Sequence, residues 1–122
     1  MKILVAEDEP LILRLIEMCL VQGGYEVIKA INGLEAFDKI KPYRPDLILT
    51  DLMMPQMSGF ELLEEVKVKL KISTPMVVLS SLDDEESMSR ATLLGASDYI
   101  IKPFIRSDLL TRVGKLLTVN PY

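Results

Sequence analysis

The stretch Leu47-Ile48-Leu49-Thr50-Asp51-Leu52-Met53-Met54-Pro55 carries the first decision about this chain. Leu47-Ile48-Leu49 is continuously apolar, the mark of a strand covered on both faces in a parallel sheet, whereas a strand with one wet face alternates. Asp51 closes that strand, and a carboxylate at the end of a buried strand is costly unless a partner meets it.

Three further runs read the same way: Ile3-Leu4-Val5-Ala6, Met76-Val77-Val78-Leu79 and Tyr99-Ile100-Ile101. A fifth, Tyr25 to Ala30, alternates more and is expected at an edge. Helical patterns separate them. From Gly59 to Leu70, the residues Leu62, Leu63, Val66 and Leu70 form one stripe, while Glu61, Glu64, Glu65, Lys67 and Lys69 fill the opposite side. Leu11, Leu15, Met18 and Cys19 repeat with helical spacing in the first helix. Pro10 suits a first helical position, Gly23-Gly24 a helix end, Asn32-Gly33 the opening of the second helix, and Ser107 the cap of the last. The order βαβαβαβαβα with right-handed crossovers makes a three-layer, doubly wound α/β domain. Its strand order is not legible from periodicity. Ligands in such folds bind beyond the carboxyl ends of the strands.

The chain has 122 residues, 49% of them hydrophobic, enough for one domain with a real core. Val119-Asn120-Pro121-Tyr122 reads as the start of a linker or a natural end. A formal charge of -4 and a pI near 4.8 argue against a grip on nucleic acid, which needs clustered Lys and Arg. There is no apolar run of roughly 20 residues to span a membrane and no signal-like start, so a cytoplasmic location is expected. The single Cys19 has no disulfide partner and reads as core filler. Histidine is absent, so the chemistry must use carboxylates, hydroxyls and amines.

Those groups stand where the strands end. Glu7, Asp8 and Glu9 follow the first apolar run, Asp51 the third strand, Ser80 and Ser81 the fourth, and Lys102-Pro103 the fifth. Carboxylates gathered on one rim repel one another unless a cation joins them, and an oxygen-only set suits Mg²⁺. Blander readings exist for each member. Glu9 can serve the dipole of the helix that follows. Lys102 can be a solvated lysine, and Tyr99 a half-exposed strand aromatic.

Glu7-Asp8, then Asp51 to Pro55 with Met57-Ser58-Gly59, then Ser80-Ser81, then Lys102-Pro103-Phe104 resembles, in order and along essentially the whole chain, the receiver domains of response regulators. The resemblance implies a receiver domain over residues 1–122, with a flavodoxin-like, chemotaxis-regulator-like five-stranded sheet in the order 2-1-3-4-5. It implies a signalling switch that works on itself, not an enzyme turning over an external metabolite. By position, Asp51 is the phosphoacceptor, receiving a phosphoryl group from the phosphohistidine of a sensor histidine kinase or phosphotransfer protein, or from a small donor. Glu7, Asp8, Asp51 and the backbone carbonyl of Met53 are expected to hold Mg²⁺, for which Mn²⁺ could substitute. Lys102 meets the phosphoryl oxygens, aimed by a cis Lys102–Pro103 bond, and the Ser81 N–H binds the phosphate. Ser80 and Tyr99 form the switch, which remodels the surface of the fourth helix, fifth strand and fifth helix.

Two flanking positions that vary in this family, Met53 and Leu82, are apolar here. Neither can orient a hydrolytic water, which predicts a slowly hydrolysed phosphoryl group. Asp98 and Arg112 match one ion pair of a family dimer formed on phosphorylation, and Asp108 matches half of another. Met88 replaces the expected basic partner of Asp108, which puts that dimer in doubt. Rival readings are a haloacid dehalogenase-type phosphatase, which needs an acid where Met53 stands, a flavodoxin-like FMN module, which needs a hydroxyl- and Gly-rich loop in place of Glu7-Asp8-Glu9, and a degenerate receiver acting only as a scaffold.

Overall fold

In a computed structural model, residues 1–117 are described. Five strands and five helices alternate: β1 (Lys2–Ala6), α1 (Pro10–Gln22), β2 (Glu26–Ala30), α2 (Gly33–Tyr43), β3 (Leu47–Thr50), α3 (Gly59–Leu63), β4 (Met76–Ser80), α4 (Glu85–Leu93), β5 (Asp98–Ile101) and α5 (Arg106–Leu117). All strand pairs are parallel, in the order β2-β1-β3-β4-β5. The tail Val119 to Tyr122 lies outside the described residues.

The sheet divides two apolar clusters. On one side Leu4, Ile48 and Val78 pack with Ala36, Leu62 and Val66 from α2 and the α3 region. On the other, Ile3, Val5, Leu49 and Leu79 pack with Leu13, Ile16 and Leu20 of α1 and Leu109 and Val113 of α5. The central strands β1, β3 and β4 are buried on both faces, as their apolar runs predict. β5 is not: it is the second edge of the sheet, with Ile101 42% exposed. Its apolar run reflects a face covered by α4 and α5 and a margin left open.

Several local expectations hold. Pro10 opens α1, Gly23 caps its end with Gly24 at φ 92°, and the Asn32 side chain accepts from the Glu35 N–H at the start of α2. Others shift. In α1 the face turned to the sheet is Leu13, Ile16 and Leu20, while Leu11, Leu15 and Met18 are half or more exposed. Both faces of this helix are apolar, so periodicity leaves two choices, and the sheet takes only one. Cys19 sits half-buried at the margin of the cluster.

The expected stripe Leu62, Leu63, Val66 and Leu70 loses its last member. After Leu63 the helix widens into a π-helix over Glu64–Lys69, with the Leu70 N–H donating to Glu65 O. That extra residue per turn rotates Leu70 out to 43% exposure. Ser107 is not a cap either. Helix α5 starts at Arg106 and the Leu109 N–H already bonds Ile105 O, which places Ser107 inside the first turn.

Candidate functional site

The sheet ladder continues one residue past each strand and fixes the groups at the rim. The Glu7 N–H donates to Ala30 O, the Asp51 N–H to Ala6 O and the Lys102 N–H to Ser80 O, all between 2.9 and 3.0 Å. Three residues from three different strand ends are thus held by main-chain hydrogen bonds before their side chains meet. The Lys102–Pro103 peptide is cis, as expected.

The side chains then converge. The Lys102 ammonium donates to Glu7 Oε1 at 2.5 Å and to Asp51 Oδ2 at 3.0 Å. Asp51 Oδ1 accepts from the Leu52 N–H at 2.7 Å, and Glu7 Oε2 from the Glu9 N–H at 3.1 Å. Glu7 is 1% exposed and Asp51 9%, whereas Asp8 is open to solvent. Burial pushes the Glu7 carboxyl above its ordinary range, with the hydrogen bond from Lys102 opposing and the charge of Asp51 adding to the rise. Burial also works against the charged form of Lys102, but its hydrogen bonds to Glu7 and Asp51 together outweigh it and hold the amine above the usual lysine value.

Glu7, Asp8 and Asp51 each offer one carboxylate oxygen, and the three lie within 4.8 Å of one another. Three carboxylates against one ammonium leave a local excess of two negative charges on a donor set made of oxygen alone. A hard divalent cation fits that arrangement.

Close packing of backbone shapes the loop after Asp51. A Cβ on Gly59 would stand 2.1 Å from Asp51 O, and the Gly59 N–H donates to Leu52 O. A Cβ on Gly33 would stand 1.9 Å from Met57 O in the same loop. Ser58 caps α3 in a reciprocal pair with Glu61, which anchors the far end of that loop. Sequence reasoning quoted both glycines without assigning them this contact. The signal available was a glycine directly after a capping serine, at the start of an apolar stripe.

Beyond the rim, Ser80 is completely buried and its Oγ accepts from the Leu82 N–H at 3.2 Å. The Tyr99 hydroxyl donates to Leu82 O at 2.6 Å, so the ring is turned toward the protein, half-buried against the α2–α4 side of the core. Burial raises the Tyr99 pKa, with the nearby Ser80 hydroxyl opposing. Met53 is 64% exposed, two residues after Asp51, and Leu82 is half-buried. Ser81 lines a cavity of about 660 Å³ together with Glu7, Asp8, Asp51 and Lys102. That cavity runs on between α1 and the segment joining β5 to α5, where Ile12, Leu15, Cys19 and Phe104 replace the charges; Arg106, absent from the expected site, stands on its rim.

On the opposite flank, Arg112 bonds Asp98 at 3.0 Å, Asp108 at 3.1 Å and Tyr99 O at 3.0 Å within the same chain. Asp98 and Arg112 do meet, as an internal bridge. Asp108, lacking a basic residue at Met88, joins the same arginine. Phe60 of α3 lies under the guanidinium of Arg90 of α4 at 4.1 Å, a contact sequence reading missed.

Residues 3–114 match the family model described as the response regulator receiver domain. The chain belongs to this family. The role of these receivers is phosphorylation-dependent two-component signalling, and the phosphatase and flavin readings fall away with the match. The chain is 42% identical over 117 residues to response regulator RR06 of Streptococcus pneumoniae, covering 96% of this chain and 53% of that protein. It is 36% identical over 120 residues to the transcriptional regulatory protein CrdR of Helicobacter pylori, covering 98% and 56%. It therefore spans about half the length of these curated relatives. Among solved structures, the beryllofluoride-activated receiver of Klebsiella pneumoniae RstA superimposes with a TM-score of 0.91 at 32% identity, covering 98% of this chain and all of that one. The receiver of the sensor histidine kinase PA1611 from Pseudomonas aeruginosa, with a magnesium ion in its active-site cleft, does so with a TM-score of 0.88 at 26% identity, covering 97% and 98%. Among the described residues no helix is long and apolar enough to cross a membrane.

Proposed function

We propose that residues 1–122 act as one receiver unit in which Asp51 takes up a phosphoryl group. The observation that carries this is the meeting of Asp51 with Glu7, Asp8 and Lys102 at the rim. Phosphoryl transfer asks a protein mainly for positioning and charge neutralisation, and this rim supplies both. Glu7, Asp8, Asp51 and the Met53 carbonyl would hold Mg²⁺, or Mn²⁺ in its place, and the ion would supply neutralisation of phosphoryl charge. Lys102 exchanges its bond with Asp51 for one to a phosphoryl oxygen, and the Ser81 N–H binds another. Ser80 then leaves Leu82 for the phosphoryl group, and Tyr99, already turned inward onto Leu82 O, is held in that position. That rearrangement is a population shift of about 1–3 kcal/mol in coupling, carried outward to α4, β5 and α5.

The donor on this reading is a sensor histidine kinase or phosphotransfer protein in the cytoplasm, and each phosphorylation is one signalling event, not a turnover on a metabolite. Transfer of label from a phosphorylated histidine donor tests it: wild type gains label with Mg²⁺, and both a chelator and Asp51→Asn abolish the gain. Label on Asp51→Asn equal to wild type would overturn the assignment.

Exposed Met53 and apolar Leu82 offer no polar group to orient water at the two flanking positions, so the phosphorylated state is long-lived. The pair Met53→Asn with Leu82→Glu should speed loss of phosphate about tenfold, less than the roughly 10²–10⁴-fold of a positioned general base because these groups only orient the water; an unchanged half-life would sink the idea. The α4-β5-α5 surface is the candidate homodimer face, with Asp98 and Arg112 free to exchange their internal bridge for one across the interface. Sedimentation with and without beryllofluoride decides it, and a monomer under both conditions counts against the dimer.

A further inference from the structure

The cavity at Asp51 is larger than the phosphoryl chemistry needs. Its volume of about 660 Å³ falls in the range that seats a small organic ligand. Its two halves differ in kind. The Asp51 end is lined by carboxylates and Lys102, whereas the far end is walled by Ile12, Leu15 and Cys19 of α1 and by Phe104 opposite them. At the rim stands Arg106, exposed and without an ion-pair partner among the described residues. A charged end and an apolar wall suit a molecule with a phosphoryl head and an apolar chain.

We infer that, among small acyl phosphates, this site favours those whose acyl chain is apolar and several carbons long. The inference rests on Asp51 being the acceptor and adds a selection by chain among small donors. In the step, an Asp51 carboxylate oxygen forms a bond to phosphorus while the bond from phosphorus to the acyl oxygen breaks. The electron pair of the broken bond leaves with the carboxylate. One mixed anhydride replaces another, and no proton has to move. That matters here, because the apolar walls offer no carboxylic acid or imidazole to protonate a poorer leaving group. The departing carboxylate leaves beside Asp51, and Arg106, which lines the same cavity, adds positive charge that draws in either anionic donor. The chain lies along Ile12 and Leu15, where each methylene fully removed from water is worth roughly fourfold in affinity. The groove is open on one side, so the gain per carbon is smaller.

The test compares hexanoyl phosphate with acetyl phosphate at equal concentration in Mg²⁺, following phosphorylation of Asp51 by intact mass. Both donors carry the same reactive group, so the ratio of their rates isolates the chain. Wild type should prefer hexanoyl phosphate by about tenfold in kcat/KM, mostly through KM. Leu15→Ser, at a position 53% exposed and so of little weight in the core, should bring the ratio below about threefold. Arg106→Gln should slow both donors alike and leave the ratio standing. A wild-type ratio near one, or a ratio that Leu15→Ser does not move, overturns the inference while leaving Asp51 as acceptor. If neither donor modifies Asp51, the acceptor assignment itself fails and this inference falls with it.

Discussion

The rim around Asp51 and the face formed by α4, β5 and α5 each contain a cation shared by two carboxylates, but they sit in opposite surroundings. Lys102 is 13% exposed between Glu7 and Asp51, whose side chains are 2% and 11% exposed. Arg112 is 37% exposed between Asp98 and Asp108, at 33% and 44%. Geometry is similar in both, with contacts between 2.5 and 3.1 Å. Water makes the difference. At the rim the charges are desolvated and each depends on the others, whereas the outer arginine holds its partners in a screened setting where exchange is cheap. One site is suited to hold charge for chemistry, the other to trade partners.

Removing each cation tests that contrast most severely. Lys102→Met should cost the metal-free protein about 3 kcal/mol by leaving two buried carboxylates uncompensated, read by urea unfolding. Since the fold holds Lys102 above its unfolded pKa, its contribution is complete below about pH 10.4 and disappears as pH rises through the folded value. The wild type and Lys102→Met should therefore converge in stability at strongly alkaline pH. A constant gap across that range would mean that packing, not charge, separates them.

Gly59→Ala comes next, at about 2 kcal/mol, because its methyl would meet Asp51 O at 2.1 Å and push the loop that carries Met53. It should also weaken Mg²⁺ binding, measured as a smaller shift in Tm on adding the ion. Asp51→Asn should act in the other direction, gaining about 1 kcal/mol in metal-free buffer by relieving the repulsion with buried Glu7. The same variant should lose the stabilisation Mg²⁺ gives to wild type. Smallest is Arg112→Ala, expected to cost less than about 1 kcal/mol. A loss as large as that of Lys102→Met would erase the distinction between the two regions.

Sequence order made the rim legible because apolar strands are hard to misplace. Once Ile3 to Ala6, Leu47 to Leu49 and Met76 to Leu79 are strands, the parallel ladder delivers Glu7, Asp51 and Ser80 to one edge. What escaped reading depends on contacts made in three dimensions. α1 is apolar on two faces, and only the position of the sheet selects Leu13, Ile16 and Leu20 over Leu11, Leu15 and Met18. Leu70 departs from its expected stripe because a 3.6-residue period does not anticipate a π turn. The β5 run reads as covered on both faces because its apolar residues do pack, although Ile101 lies on an open margin. Arg106 joins the cavity only because the fold sets α5 beside α1. The strand order came from resemblance, since no periodic pattern encodes which strand lies beside which.

The central proposal is that Asp51 works as an acceptor within a cage of oxygen donors and one lysine. Incubation with a small acyl phosphate, followed by peptide mass mapping with and without Mg²⁺, tests it most directly. One phosphoryl group is expected, located on Asp51 and present only with the ion. A phosphoryl group on any other residue, or one on Asp51 that forms equally well in a chelator, would contradict it.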